Sequence, residues 1–555
     1  MLQLDNPSVI SSLQASTQAS TPHVTIEEPV LDTHDIQGNS LGGFNKDHEM
    51  LMFFKITQVA AAKKWLQSIE PFIATAAEVI AFNQLFKTTR RRRHGEEGTV
   101  RSTFINVGFT FEGLTKLTPD ADQFTDAAFK DGLHNRSASL GDPTDPNAVG
   151  HPSQWVIGGA HNVPDGVLIV ASDDPSHLAT TVKKLEKNLG HGIKVMFKQL
   201  GETLPGALVG HEHFGFKDSI SQPGIRGRLP QFPHEFLTQR EDPEDPNKGK
   251  PGQDLLHAGE FIFGYPTQIG QPDPNHEGLN LNLGETAIAG PTWAKNGSYL
   301  VFRRLRQDVK GFHAFVKSTA TALSQSNPSF AGMTAEKFGA KLVGRWASGA
   351  PIVNNPDQDN PADANDVDFE FEGKDAQGLR CPFAGHIRKA YPRDTKRGSF
   401  VNESATQTHR LLRRGIPFGK PMSSGCPVSL GRLRGLFTDW VASFAGKNDT
   451  IGGDKIGDRG LLFLAYQTSI EHQFEFVTNL WVNNPDFSDA GNGHDPILGQ
   501  SQDPTTRDRS SFKLKTPRTT PRSSYRKIGS FPQAADTSSR PPFKDSNIWR
   551  SRESS

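Results

Sequence analysis

Val167-Leu-Ile-Val-Ala171, Asp174 to Asn188 and Ile193-Lys-Val-Met-Phe-Lys-Gln-Leu200 follow one another between residues 167 and 200. The first and last are apolar runs of strand length, and the middle segment repeats its apolar residues at helical spacing. Upstream, Leu51-Met-Phe-Phe54 suits a buried strand, Ile56 to Ile69 and Ile73 to Phe86 repeat at helical spacing, and Thr103 to Thr110 suits a second strand. Strand, helices, strand, strand, helix, strand is a ferredoxin-like order.

Downstream, the charged, breaker-rich stretch 231–258 reads as a linker. A second α+β series follows it: strands at Glu260 to Tyr265, Ser298 to Leu305 and Leu461 to Gln467, with helices at Val309 to Leu323 and Ile470 to Trp481. The sequence thus divides into a mobile arm (1–45), a first α+β domain (46–230), the linker, a second α+β domain (259–495) and a basic Ser- and Pro-rich tail (496–555). From 501 onward Lys and Arg number 12 against 5 Asp and Glu, a composition that buries no core of its own. Solvated tail and docking arm for an anionic partner both fit that charge.

Over the whole chain the charge is balanced, 61 Lys and Arg against 61 Asp and Glu. The chain therefore lacks the positive excess that drives general nucleic-acid or acidic-membrane binding. With 53 Gly and 38 Pro, long connections are expected and an all-helical fold is not. Two cysteines, Cys381 and Cys426, are too few for a disulfide framework or a cysteine-built metal cluster. No basic-then-apolar leader and no membrane-length apolar run is visible, so a cytoplasmic location is expected, with a non-standard route of secretion left open. Sequons begin at Asn135, Asn296, Asn402 and Asn448, and they read as chance matches in such a chain. Arg90 to Arg93 reads as a charged loop rather than an import signal.

Three stretches place reactive side chains where a packed element does not need them. In Gly215-Phe-Lys-Asp-Ser-Ile-Ser-Gln-Pro-Gly224, Asp218 sits between apolar Phe216 and Ile220. A turn aspartate capping its own backbone fits this context, and so does a carboxylate tuned to move protons. Cys381-Pro-Phe-Ala-Gly-His-Ile-Arg-Lys389 offers His386 after a turn, as a structural histidine or as a metal ligand. His409-Arg-Leu-Leu-Arg-Arg-Gly-Ile-Pro-Phe-Gly419 sets guanidiniums beside apolar residues, where each needs a partner or an anion.

Together with Asn296-Gly-Ser-Tyr-Leu-Val-Phe-Arg-Arg-Leu305, Gly344-Arg-Trp-Ala-Ser-Gly-Ala-Pro351, Pro392-Arg393 and Gln467-Thr-Ser-Ile-Glu471, these motifs resemble the dye-decolorizing peroxidase family, most closely its fungal members, from about residue 46 to 490. The resemblance implies two ferredoxin-like α+β domains, with one haem b per chain held mainly by the second. It implies hydrogen peroxide as oxidant and dyes, phenolics or other bulky donors oxidised in one-electron steps through a ferryl species. By the same resemblance His386 is the iron's axial ligand, Asp218 the distal acid/base and Arg413 the distal arginine. Glu471 is the expected carboxylate behind the His386 ring, and Arg304 a candidate for a haem propionate. The family's Gly-x-x-Asp-Gly signature ends here in Ser219, whose side chain visits left-handed angles less readily and whose hydroxyl could reach Asp218.

Trp293, Trp346, Trp481, Tyr391 and Tyr466 are candidate relays to bulky donors, with core packing as the default for each. His211-Glu-His213 is a poor metal pair without a third ligand. A haem carrier or storage protein with residual peroxidase activity is the alternative expectation. A serine hydrolase using Ser, His and Asp is set aside.

Overall fold

The computed structural model describes residues 28–92, 100–242, 245, 247, 249–270, 283–393, 403–422, 458–488 and 490–500, with the pairs 451–452, 513–514, 526–527 and 549–550. Residues 1–27, Arg93, Cys426, the sequons at Asn402 and Asn448, and most of the tail lie outside the described residues.

The first sheet is built from β1 (His48–Ile56), β2 (Thr103–Phe109), β3 (Gly166–Ser172) and β4 (Ile193–Glu202). Its four long strands pair antiparallel in the order β4–β1–β3–β2, the ferredoxin-like order expected from residues 51–200, and Ile451–Gly452 adds a short parallel strand beyond β4. Alternation along β1 sorts its residues onto two faces. Met50, Met52 and Phe54 pack under α1 (Val59–Ile69) and α3 (Pro175–Asn188), and Leu51 and Phe53 face the other way. The remaining long helix of this half, α2 (Ala76–Arg92), contributes Val79 to that second face.

The second sheet has β8 (Gly460–Gln467) at its centre, between β5 (Tyr299–Gln307) and the short strands β6 (Leu412–Arg413) and β7 (Ile416–Phe418). Leu462 and Leu464 of β8 meet Leu51, Phe53 and Ile169, so the two sheets pack face to face. The outer face of the second sheet is left to Arg303, Leu305, Leu461 and Phe463, and it forms one wall of a cavity. Opposite stand α4 (Val309–Ser326), α5 (Ala335–Val343) and α6 (His386–Ala390), followed in sequence by wide π-helical turns at Ile470–Glu475 and Val477–Val482.

Several expectations fail. Arg90 to Arg92 continue α2 rather than forming a charged loop, and Leu255–His257, inside the expected linker, is a buried strand paired with Gly224–Arg226. Glu260 to Tyr265 is a buried turn: Gly264 takes φ +91°, and the apolar run Phe261-Ile262-Phe263 packs with Phe263 bonded to the Asn296–Gly297 turn rather than into a strand ladder. The arm does not extend to residue 45: Leu31 and Ile36 are fully buried, and the Glu28 carboxylate is held by Arg226 and Arg240. Nor does the second half end at 495, since Ile497 is buried against Phe214 and Val316.

Candidate functional site

His386 opens α6 at the end of the Cys381-Pro-Phe-Ala-Gly turn. That turn is anchored from several sides. Cys381 is fully buried and its N–H donates to Asp375, while the buried Lys341 ammonium donates to the carbonyls of Leu379 and Arg380. The His386 Nδ1–H donates to Asp495 Oδ2 at 2.7 Å. Asp495 is wholly buried and its other oxygen accepts the N–H groups of Ile497 (2.7 Å) and Leu498 (3.0 Å). Burial alone raises the pKa of such a carboxyl, yet the imidazole and the two amides hold it below its ordinary value. Burial likewise disfavours imidazolium at His386, and the Asp495 charge overturns that and raises its pKa. Lys389, also buried, donates to the Phe487 carbonyl (2.6 Å) and so ties α6 to the loop that carries Asp495.

Across the cavity, the Asp218 loop is shaped from beneath by Glu212. Its carboxylate accepts the N–H groups of Phe214 and Phe216 at 2.7 and 2.8 Å around Gly215, which takes φ +97°. Burial pushes the Glu212 carboxyl up to about 7. Phe214 stacks on Phe312 of α4 at 4.2 Å, fixing the loop to the core. Asp218 Oδ1 accepts the Ser219 N–H at 2.6 Å, and Ser219 adopts φ +58°. Arg413, at the end of β6, is positioned by Gln222, which donates to its carbonyl (2.9 Å) and accepts its N–H (3.3 Å). Its guanidinium donates to the Ser221 carbonyl at 2.8 Å and comes within 3.8 Å of Asp218 Oδ1.

Asp218, Arg413 and His386 thus line one cavity of about 290 Å³, whose remaining wall includes Leu305, Leu461, Phe463, Val477, Ile497 and Leu498. The donor set fits a haem. One imidazole nitrogen is committed to a carboxylate and leaves Nε2 for iron, apolar walls suit the macrocycle, and a carboxylate with a guanidinium stands by.

Two expected site residues are elsewhere. Glu471 pairs with Arg136 (3.5 Å) and accepts the Ala127 N–H (3.2 Å) on a partly exposed turn, so the carboxylate behind His386 is Asp495 instead. Arg304 points away from the cavity, because alternation along β5 puts Arg303 and Leu305 on the cavity face and Arg304 on the opposite one. There it donates to Gln199 of β4 and Asp458, at 2.6 Å each, and lies over the Phe418 ring. Asp495 was missed because its partner is 109 residues away, and its one local signal is an aspartate ahead of Pro496 and a buried Ile-Leu pair.

Among the relay candidates only Tyr391 lines this cavity, with its hydroxyl on Asp254 and the Arg410 guanidinium over its ring at 3.6 Å. Trp346 and Trp481 are core residues. The Tyr466 hydroxyl accepts from Asn39, and Trp293 is half exposed on Phe124. His213 donates to the Phe418 carbonyl (2.8 Å) and burial drops its pKa to about 4. Among the described residues no group of three or more potential ligands gathers for a bare metal ion.

The sequence profile described as "DyP dimeric alpha+beta barrel domain" matches residues 35–205. Peroxidase 2 of Mycetinis scorodonius is 31% identical over 510 residues, 90% of this chain and 82% of that protein. Dye-decolorizing peroxidase AauDyP1 of Auricularia auricula-judae is 30% identical over 485 residues, 85% and 78% of the two chains. A solved structure of an ancestral D-type dye decolorizing peroxidase superposes with a TM-score of 0.64 at 32% identity, covering 85% of this chain and 89% of its own. The fold, the paired polar walls of the cavity and these relatives agree: the chain belongs to the dye-decolorizing peroxidase family.

Proposed function

We propose that the chain is a haem peroxidase that reduces hydrogen peroxide and oxidises dyes, phenolics or other bulky organic donors. One haem b per chain would be held mainly by the second half of the chain, with His386 Nε2 on the iron and Asp218 reaching in from the first half. The observation that carries this reading is the opposition of His386–Asp495 and Asp218–Arg413 across one cavity. A haem carrier needs no such second pair.

When bound, the haem supplies an iron centre that takes up peroxide and exchanges electrons with donors. Asp495 keeps the proton on His386 Nδ1 and makes the ring a more basic ligand. Asp218 Oδ1 is occupied by the Ser219 N–H, which leaves Oδ2 to take the proton from one peroxide oxygen and deliver it to the other. Arg413, fixed by Ser221 and Gln222, balances negative charge on the departing oxygen. Leu305, Leu461 and Phe463 keep bulk water from the wall beneath.

Stopped-flow mixing of the haem-loaded protein with peroxide tests this. Asp218→Asn is expected to slow the reaction on the order of 100-fold or more, with the Soret band of the resting protein unchanged. A native rate in that variant would overturn the assignment.

A further inference from the structure

A second cavity, of about 530 Å³, lies beside the outer edges of β2 and β5. Its volume is that of a small-molecule site. Phe109, Phe111, Phe129, Trp155, Tyr299 and Phe302 furnish its walls, and the half-exposed Trp293 stands at its rim. It is separate from the His386 cavity, with Arg303 on the wall between them.

Two features point to an occupant. The Tyr299 side chain is 4% exposed, its ring packed by Phe129 at 4.9 Å and Phe263 at 5.0 Å. The Asp126 backbone approaches its oxygen, but no acceptor lies within hydrogen-bond distance of its hydroxyl proton. A buried hydroxyl without an acceptor is unfavourable, and a ligand oxygen would remove that cost. The second feature is Gly108 of β2: a Cβ placed there meets just the Val167 side chain, at 3.5 Å, so this part of the wall is open space rather than packed core. The guanidiniums that reach the wall are already paired, Arg303 with Asp142 at 2.7 Å, Arg136 with Glu475 at 2.6 Å and Arg304 with Asp458 at 2.6 Å. They therefore do not call for an anionic ligand.

We propose that this cavity binds a neutral aromatic molecule carrying an ether or carbonyl oxygen, which packs among the phenyl rings and accepts the Tyr299 hydroxyl proton. The proposal does not rest on the haem reading, because no residue of the His386–Asp495 or Asp218–Arg413 pairs lines this cavity.

The test is equilibrium dialysis of the full-length, haem-loaded protein against 1,2-dimethoxybenzene and against 1,2-diethylbenzene, which keeps the shape and replaces each ether oxygen by CH₂. Both ligands are expected to bind at one site without moving the Soret band. Tyr299→Phe should weaken dimethoxybenzene about fivefold and leave diethylbenzene unchanged, since one neutral hydrogen bond is worth about 1 kcal/mol. Gly108→Leu, which fills the open space, should abolish both. Native affinity for dimethoxybenzene in Tyr299→Phe, equal weakening of both ligands there, or native binding in Gly108→Leu overturns the proposal. So does absence of binding by the native protein. Should Gly108→Leu fail to fold, the conservative Tyr299→Phe comparison decides alone.

Discussion

Ser219 illustrates how far a single residue can be read. Its departure from the family's glycine was visible in the sequence, and the structure gives its physical consequence, a side chain carried at φ +58°. A non-glycine residue in that region pays roughly 1–2 kcal/mol, part of which a glycine would return in the entropy of its unfolded chain. Ser219→Gly is therefore expected to stabilise the protein by about 0.5–1 kcal/mol, read as a small rise in the thermal midpoint. Asp218 Oδ1 is held by the Ser219 amide rather than its hydroxyl, and glycine keeps that amide. Peroxide kinetics should then stay within about twofold of native, and a tenfold change would assign the hydroxyl a role the geometry does not show. Asp495 is the opposite case. Nothing near it in the chain announces an imidazole partner, because the loop that carries it is brought to α6 by tertiary contacts such as Lys389 to the Phe487 carbonyl.

Strand alternation governs the next scale. Two adjacent arginines on β5 must face opposite sides, so the sequence required one of Arg303 and Arg304 to point inward without saying which. The partners decide it: Arg304 meets Gln199 and Asp458 between the sheets, and Arg303 meets Asp142. Arg304→Leu leaves Gln199 and Asp458 without that partner and is expected to cost about 3 kcal/mol of stability. Haem affinity should be unaffected, and a selective loss of haem at unchanged thermal midpoint would restore Arg304 to the propionate role. The π-helical turns after β8 were read as one helix, correctly in place, but their wider winding has no periodicity signal strong enough to read.

At the scale of the whole molecule, packing leaves carboxyls inside, Glu49 on β1 and Glu260 in the turn ahead of Phe261. Burial raises Glu49 to about 8, and Glu260, despite the Gln268 N–H it accepts, also to about 8. The sign follows from the raised value. Below the ordinary value of 4.5 both states hold the proton, and as pH climbs the unfolded chain releases it first, so stability falls until the folded groups ionise near 8. Glu49→Gln should make the fall of the thermal midpoint between pH 5 and 8 shallower, with Glu260 carrying part of what remains, and a profile parallel to native would contradict this. The β4–β1–β3–β2 half was legible because its alternation and helical repeats are local. The packed segment 28–45 was not: its Ser, Thr and Asp content reads as solvated, while Glu28 finds Arg226 and Arg240 some two hundred residues away. Central to the whole account is that His386, backed by Asp495, holds the cofactor. Haem titration followed at the Soret band, on native protein, His386→Ala, Asp495→Asn and Glu471→Gln, tests it most directly. The account predicts native affinity in Glu471→Gln, a loss of about 10–100-fold in Asp495→Asn, and no native-type Soret band in His386→Ala. A native band and affinity in His386→Ala would contradict it.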